Sequence, residues 1–229
     1  RRFHLILSVS DRHTRCRPIA PHAKGASDEN RLPRLARMAR QYHNEPATSA
    51  GAERLFSAAS RAHHDLSDAV SHNQMAGRNQ KQVAEILYQL VGHLKYLNEE
   101  CGRIHGDIKP RNIVLLQVGD ELVWMLIDLD ASCKIGSLAG QKVTSSAFLS
   151  PEMARQLLAP PASEADRVKA SVQLEMWAFG VVLYQLCTMD GQTLWNANQA
   201  DNIEEEEMHD LAYRWVRTSP FPSCAGLDL

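Results

Sequence analysis

Long apolar runs, paired cysteines and an excess of either charge are all missing from this 229-residue sequence. No run approaches the roughly 20 apolar residues that a membrane-spanning helix needs, so we expect no membrane span. The five cysteines are scattered without C-x-x-C spacing, and their odd number disfavours a disulfide framework. Scattered, reduced thiols predict an intracellular protein, cytoplasmic or nuclear. The 44% apolar and 23% charged content is typical of globular proteins.

The net charge of −2 conceals an uneven distribution. Residues 1–80 hold 13 Lys/Arg against 7 Asp/Glu, whereas residues 81–229 hold 12 against 20. This asymmetry predicts two segments of different origin. Four arginines between residues 31 and 40 recur at helical spacing, as on the solvated face of a helix, so we do not expect nucleic-acid binding.

One stretch carries residues suited to phosphoryl transfer: residues 104–112 read IHGDIKPRN. Asp107 can accept a hydroxyl proton, Lys109 can neutralise a phosphate, and Asn112 can hold a metal ion. Asp128 arrives sixteen residues after Asn112, at the end of an apolar run that predicts a buried strand. Two oxygen ligands, from Asn112 and Asp128, suit Mg²⁺.

These residues resemble the motifs of the eukaryotic protein kinase family. HGDIKPRN is similar to H-R-D-x-K-x-x-N, IDLD to D-F-G, and the SPE at residues 150–152 to A-P-E, in the family's order. The resemblance implies a Ser/Thr-type kinase with ATP and Mg²⁺ as cofactors and a protein as substrate. It implies that Asp107 and Lys109 are catalytic, that Asn112 and Asp128 hold the metal, and that Val114 supports the adenine ring.

The predicted fold class is α+β, mainly α. Apolar residues recur at steps of three and four through a helix predicted over 80–100, and Gly102 suits its end. Residues 113–116 and 122–127 predict two strands joined by a turn at Gly119 and Asp120, and residues 172–189 a largely buried helix. The resemblance implies a kinase-like C-terminal lobe over residues 66–217 with one short β-hairpin, followed by a tail over 218–229.

A second resemblance precedes the first. Residues 45–57, EPATSAGAERLFS, are similar to the C-terminal dimerisation region of hAT-family transposases. The similarity covers residues 32–65 and implies a helical segment capable of self-association. Glu53 matches an acidic residue of that family's metal triad, but we interpret it as a surface glutamate in a first helical turn. Residues 1–31 are predicted to be disordered.

Four positions bear on the kinase resemblance. Gly106 replaces the arginine that receives an activation-loop phosphate, which disfavours switching by that route. Asp130 replaces a flexible glycine, so we expect it either to fix the segment or to adopt strained angles. Glu175 replaces an aspartate that anchors the catalytic loop, and we expect looser anchoring. Thr144 matches the threonine that bonds the catalytic Asp and Lys.

The small N-terminal lobe is expected to be missing. Residues 1–64 contain no G-x-G-x-x-G-x-V and no V-A-I-K, and Lys24 lies in a Pro/Gly context. Two functions therefore remain open for the lobe: an impaired Ser/Thr protein kinase, and a non-catalytic, pseudokinase-like binding module. Self-association through residues 32–65 is a third possibility.

Overall fold

The structure is a computed structural model that describes residues 62–73, 76–77, 79–118, 121–140, 145–188 and 191–214. Three predictions lie outside these ranges: the disorder of residues 1–31, the helical segment over 32–61 and the tail over 218–229. The helices are α1 Leu66–Asn73, α2 Gln80–Lys95, α3 Pro151–Leu158, α4 Val172–Cys187 and α5 Glu205–His209. The strands are β1 Ala62–Asp65, β2 Arg103–Ile104, β3 Ile113–Val118, β4 Glu121–Leu126 and β5 Cys133–Lys134. This composition confirms a mainly helical fold with a few strands.

Helix α2 is stabilised by a side-chain cap at its start and by an apolar stripe along one face. The Asn79 side chain accepts a hydrogen bond from the Gln82 main-chain N–H at 3.1 Å, which satisfies one of the free donors of the first turn. Val83, Ile86 and Leu90 bury one face of the helix. A π-helical turn, Tyr96–Glu100, continues it. The helix predicted over 80–100 is confirmed, with its last turn widened.

The hairpin of β3 and β4 is antiparallel, with Ile113 opposite Leu126 at one end and Val118 opposite Glu121 at the other. Strand β3 is two residues longer toward the turn than the predicted 113–116. Strand β4 has the predicted length but begins and ends one residue earlier than the predicted 122–127. Strand β1 adds to β3, so the sheet order is β1-β3-β4. The predicted hairpin is confirmed.

The helical expectation for residues 32–65 is wrong at its last four residues. Ala62–Asp65 form strand β1, in which His64 lies opposite Leu115 and Asp65 opposite Val114. The His64 ring also stacks edge-on against Trp124, with centroids 5.8 Å apart. Pairing with a strand edge here outweighs the local helical preference, because β3 offers main-chain partners that a short isolated helix would lack.

The main hydrophobic core lies between α2, α4 and one face of the hairpin. Its fully buried members include Ile86, Ile113, Val182, Leu186 and Leu211. Helix α4 is less buried than predicted, since Met176 is 42% exposed. Among the helices within the described ranges, none is long and apolar enough to cross a membrane.

Candidate functional site

Glu175, on α4, anchors the loop that joins β2 to β3. This buried carboxylate accepts hydrogen bonds from the main-chain N–H groups of His105 and Gly106 and from the Asn98 side chain. Burial raises the pKa of Glu175, while these donors oppose the rise. Looser anchoring was expected from the longer side chain, yet Glu175 bonds the loop directly.

His105 fixes the start of the same loop. Its ring is fully buried, with Nε2 3.0 Å from the Ile127 carbonyl and Nδ1 3.3 Å from the Asp107 main-chain N. The Asp107 N–H donates to Nδ1, so Nε2 carries the proton that is donated to Ile127 in a neutral ring. Burial lowers the pKa of His105, and the Ile127 carbonyl and the charge of Asp107 oppose that shift. A neutral imidazole therefore ties the loop between β2 and β3 to Ile127, the residue directly after β4.

Asp107 and Lys109 lie in contact. Lys109 Nζ is 2.8 Å from Asp107 Oδ2 and 2.9 Å from Ser145 Oγ. The side chains of Asp107 and Lys109 are 13% and 17% exposed, so the pair is mostly shielded from water. Asp107 Oδ1 lies 3.5 Å from the main-chain N of Ser145, at the limit of a hydrogen bond. The carboxylate is thus held on both oxygens, and a small part of its side chain stays exposed.

The hydroxyl in this contact belongs to Ser145, which sequence reasoning missed. Thr144, to which the role was assigned, lies outside the described residues. The assignment favoured threonine because the family has threonine there, although a second hydroxyl residue follows immediately. The presence of a serine next to Thr144 was the one feature of the sequence that indicated Ser145 as a second candidate.

Asn112 ends the loop in a 3-10 turn, Pro110–Asn112. Its Nδ2 donates to the Asp107 carbonyl at 2.8 Å and to Asp107 Oδ2 at 3.1 Å. The side chain is buried. Because both donated bonds use the amide nitrogen, the amide oxygen is the atom available to a metal ion.

Asp128 follows Ile127, whose main-chain N–H donates to the Asn112 carbonyl at 2.9 Å. Asp128 has a left-handed backbone, φ 66° and ψ 74°. Among the described non-glycine residues only Asp128 and Asp201 have positive φ. Of the two alternatives expected for Asp130, strained angles are not found: Asp130 lies in the 3-10 turn Leu129–Ala131, and the positive φ falls on Asp128. Strain of this kind is often found at functional residues.

Val114 lies on the face of the hairpin turned away from the main core. It packs with Leu116 and Met125 in a separate cluster, with Ile127 against them. Alternation along β3 places Ile113 in the main core and Val114 in this second cluster. The hairpin thus has a second, buried apolar cluster that begins two residues after Asn112.

Gly106 is required by the local geometry. Its φ is +84°, and a Cβ built there would lie 2.4 Å from the Ala131 carbonyl oxygen. No side chain fits without a shift of the backbone, so the arginine of the related motif has no room in this conformation.

The segment after Asp128 is held by main-chain hydrogen bonds. The N–H groups of Gly136 and Ala139 donate to the carbonyls of Ala170 and Val168 at 2.8 and 2.9 Å. The N–H of Ala170 donates back to Ser137 at 2.8 Å. This pairing positions the segment without a charged side chain at residue 106.

Comparison with known proteins identifies this arrangement. A family model described as protein kinase domain matches residues 51–223, three quarters of the chain. This confirms the kinase resemblance and begins inside the stretch that was assigned to the hAT-like segment. No comparison bears on the hAT resemblance itself, which stays a prediction.

Individual relatives have low sequence identity to this chain and match only about half to two thirds of it. The inhibitor of nuclear factor kappa-B kinase subunit beta of Rattus norvegicus is 26% identical over 161 residues, 64% of this chain and 20% of that protein. The subunit alpha of Danio rerio is 28% identical over 48% of this chain and 13% of its own length. Serine/threonine-protein kinase CHK1 of Saccharomyces cerevisiae is 32% identical over 52% and 21%. The chain thus spans about a fifth or less of these relatives.

Among solved structures, the Cydia pomonella granulovirus kinase PK-1 is 22% identical. The match covers 70% of this chain and 52% of that one, with a TM-score of 0.49.

Proposed function

Because this chain belongs to the protein kinase family, we propose that it binds ATP with Mg²⁺ and transfers the γ-phosphoryl group to a serine or threonine hydroxyl of a protein. The observation that supports this most is the carboxylate of Asp107, held by Lys109, Asn112 and the main chain of Ser145. A carboxylate fixed on both oxygens can orient an alcohol and accept its proton. One relative, CHK1 of Saccharomyces cerevisiae, is named a serine/threonine-protein kinase, which favours serine or threonine as the acceptor.

The roles follow from the atoms that remain available. Asp107 accepts the proton as the substrate oxygen bonds phosphorus and the bond to the bridging oxygen of ADP breaks. Lys109, bonded to Asp107 and Ser145, has a third N–H for the transferred phosphoryl group. We assign Val114 to the support of the adenine ring because the family resemblance implies it; in this structure its side chain is buried with Leu116 and Met125.

The donor set fits Mg²⁺. The amide oxygen of Asn112 and the carboxylate of Asp128 are hard oxygen ligands of the kind that this ion prefers, completed by water and phosphate. The strained backbone of Asp128, φ 66°, agrees with a residue held for binding. When bound, the ion neutralises charge on the phosphates.

Transfer by this chain alone is expected to be slow. Residues 1–64 contain neither a glycine-rich phosphate loop nor the lysine motif that contacts the α- and β-phosphates. Positioning is most of what kinases contribute, because the transition state needs little covalent help. The same observation supports the second candidate, a pseudokinase-like module that binds nucleotide without turning it over.

One experiment tests the proposal and separates the two candidates. The full chain is incubated with Mg²⁺ and γ-labelled ATP, and label is counted on serine, threonine and tyrosine peptides. We expect slow labelling of serine or threonine that Asp107→Asn abolishes, whereas the exposed Asp166→Asn leaves it unchanged. Absence of labelling together with Mg²⁺-dependent nucleotide binding would establish the binding module instead.

A further inference from the structure

Arg103, on β2, binds Ser132 through two hydrogen bonds. Its Nε donates to Ser132 Oγ at 3.1 Å, and its Nη2 donates to the Ser132 carbonyl at 2.8 Å. Ser132 Oγ in turn donates to the Ile104 carbonyl at 2.7 Å. Both the side chain and the main chain of Ser132 are therefore tied to β2.

The main chain of Arg103 is itself held in place. Its carbonyl accepts a hydrogen bond from the Asn98 side chain at 2.9 Å, and the same amide group of Asn98 bonds Glu175 on α4. The Arg103 side chain is half-buried. Because the guanidinium is a planar fork with fixed donor directions, it passes this fixed position on to Ser132.

Attraction between opposite charges does not account for the position of Arg103. In the ladder of β2 and β5 it lies opposite Lys134, and like charges opposite each other on paired strands repel. In the part of the chain that the structure describes, neither residue takes part in an ion pair. The two directional bonds to Ser132 therefore offset the repulsion and hold the guanidinium there.

Ser132 lies at the far end of the turn that begins at Asp128. The Ser132 N–H donates to the Leu129 carbonyl at 2.9 Å, which closes the 3-10 turn Leu129–Ala131. At the other end, the Asp128 side chain accepts from the Asp130 N–H at 3.4 Å. A displacement of Ser132 would therefore be transmitted through a three-residue turn to Asp128.

Asp128 needs support from its neighbours because its backbone, with φ 66°, is unfavourable for a residue other than glycine. On the side before Asp128, the Ile127 N–H is bonded to the Asn112 carbonyl. On the side after it, the support comes from Arg103 through Ser132. A side chain at residue 106 could not supply this support, since a Cβ there would lie 2.4 Å from the Ala131 oxygen.

We propose that Arg103 is a positioning residue for the metal site: by holding Ser132, it keeps the turn and the carboxylate of Asp128 in the conformation that binds Mg²⁺. The proposal rests on the proposed function, because it takes Asp128 as a ligand of the ion. The action of Arg103 is indirect, through Ser132. It makes from β2 a contact that residue 106 has no room to make.

Four single variants separate the bonds of Arg103 from its charge. Arg103→Met keeps an apolar stem but removes both hydrogen bonds, and Arg103→Lys keeps the charge with one nitrogen in place of the fork. Ser132→Ala removes one of the two acceptors. Lys134→Met is the matched control, because it removes a positive charge from the exposed residue directly opposite Arg103.

The first measurement titrates Mg²⁺ into the full chain in the presence of a fluorescent ATP analogue. We expect Arg103→Met to weaken the apparent Mg²⁺ affinity about tenfold, and Arg103→Lys and Ser132→Ala about threefold each, as bonds from a charged donor are lost. Lys134→Met leaves the affinity unchanged. In the Arg103→Met background, Ser132→Ala adds little, because the two residues act through one contact. Binding of the analogue without Mg²⁺ stays the same in all variants.

The second measurement needs neither metal nor nucleotide. Amide hydrogen exchange of the free chain is followed by mass spectrometry in peptides that cover residues 129–135 and strand β3. Arg103→Met should speed exchange over 129–135 and leave β3 as it is in the wild type. Arg103→Lys, which disturbs the chain least, gives the same comparison should Arg103→Met fold poorly.

Equal Mg²⁺ affinities of the wild type, Arg103→Met and Arg103→Lys would overturn the proposal. Equal losses in Arg103→Met and Lys134→Met would also overturn it, because the charge would then act on the nucleotide from a distance. Faster exchange in β3 as well as in 129–135 would show a general structural role instead. Protection of 129–135 that depends on Arg103, in a chain that binds no Mg²⁺ with nucleotide, would count against the proposed function alone.

Discussion

Lys109 Nζ lies 2.9 Å from Ser145 Oγ. This contact joins the loop between β2 and β3 to the segment before α3. The same ammonium bonds Asp107 Oδ2 at 2.8 Å. One cation thus holds the proposed base in place and fixes the position of the segment that a substrate would meet. Removing the serine hydroxyl should loosen both without touching the nucleotide ligands.

Ser145→Ala is expected to lower the rate of phosphate transfer by about tenfold, the loss of one hydrogen bond to a charged group. Ser145→Thr keeps a hydroxyl and should retain most of the rate. Labelled-phosphate transfer to a serine peptide measures this, with Mg²⁺-ATP affinity measured in parallel and expected to stay unchanged. The exposed Ser137→Ala is the control, and equal rates for it and Ser145→Ala would show that the contact has no catalytic effect.

Asp128→Asn is expected to weaken Mg²⁺-dependent ATP binding by about tenfold or more, because it removes the charged metal ligand. Asp107→Asn should leave that affinity nearly unchanged, since Asp107 serves the alcohol rather than the nucleotide. Titration of a fluorescent ATP analogue measures both, and chelation of Mg²⁺ should abolish the binding. Equal affinities of wild type and Asp128→Asn would contradict the proposed metal site.

Gly106→Ala is expected to destabilise the protein by at least about 2 kcal/mol more than Gly102→Ala. Both glycines have positive φ, +84° and +62°, so both variants carry backbone strain. Only at Gly106 would the new Cβ meet a main-chain atom, the Ala131 oxygen at 2.4 Å, whereas nothing lies within 4 Å of a Cβ at Gly102. Urea unfolding of the two variants measures the difference, and equal losses would mean that the loop can move away from Ala131.

The sequence predicted those parts of the site that local pattern specifies. The apolar spacing of α2 and the alternation of the hairpin set the helix and both strands, and the motif residues Asp107, Lys109 and Asn112 are in mutual contact around one carboxylate. Long-range geometry was harder to predict. Ser145 contacts Lys109 across 36 residues, and a contact over that separation depends on how the chain returns to the loop.

The errors have the same origin. Strand β1 forms because it pairs with the edge of β3, and the residues 62–65 alone do not predict that pairing. The strain at Asp128 rather than Asp130 depends on how β4 ends opposite Asn112.

Glu175→Ala is expected to destabilise the protein by about 3 kcal/mol, because the buried donors of His105, Gly106 and Asn98 would lose their common acceptor. Glu100→Ala, at an exposed position, should change stability by less than about 0.5 kcal/mol. Chemical unfolding monitored by circular dichroism compares the two. Similar small losses would mean that the loop does not depend on this carboxylate.

His105 gives a pH dependence whose sign can be worked out. The pKa of its ring is lowered from 6.5 chiefly by burial, although the charges of Asp107 and Asp128 oppose the shift. As pH falls below 6.5, the unfolded ring gains a proton while the folded ring stays neutral. The unfolded state then binds more protons, so this residue's contribution to stability falls with falling pH, by up to about 1.4 kcal/mol per pH unit.

His105→Gln is therefore expected to flatten the loss of stability between pH 6.5 and 5, because an amide can donate to Ile127 and accept from the Asp107 N–H without titrating. His209 is exposed, and His209→Gln should leave the slope of the wild type unchanged. The free energy of unfolding in urea, measured at half-unit pH steps, gives the three slopes. If His105→Gln and the wild type lose stability in parallel over this range, the buried neutral ring is not the group that senses pH.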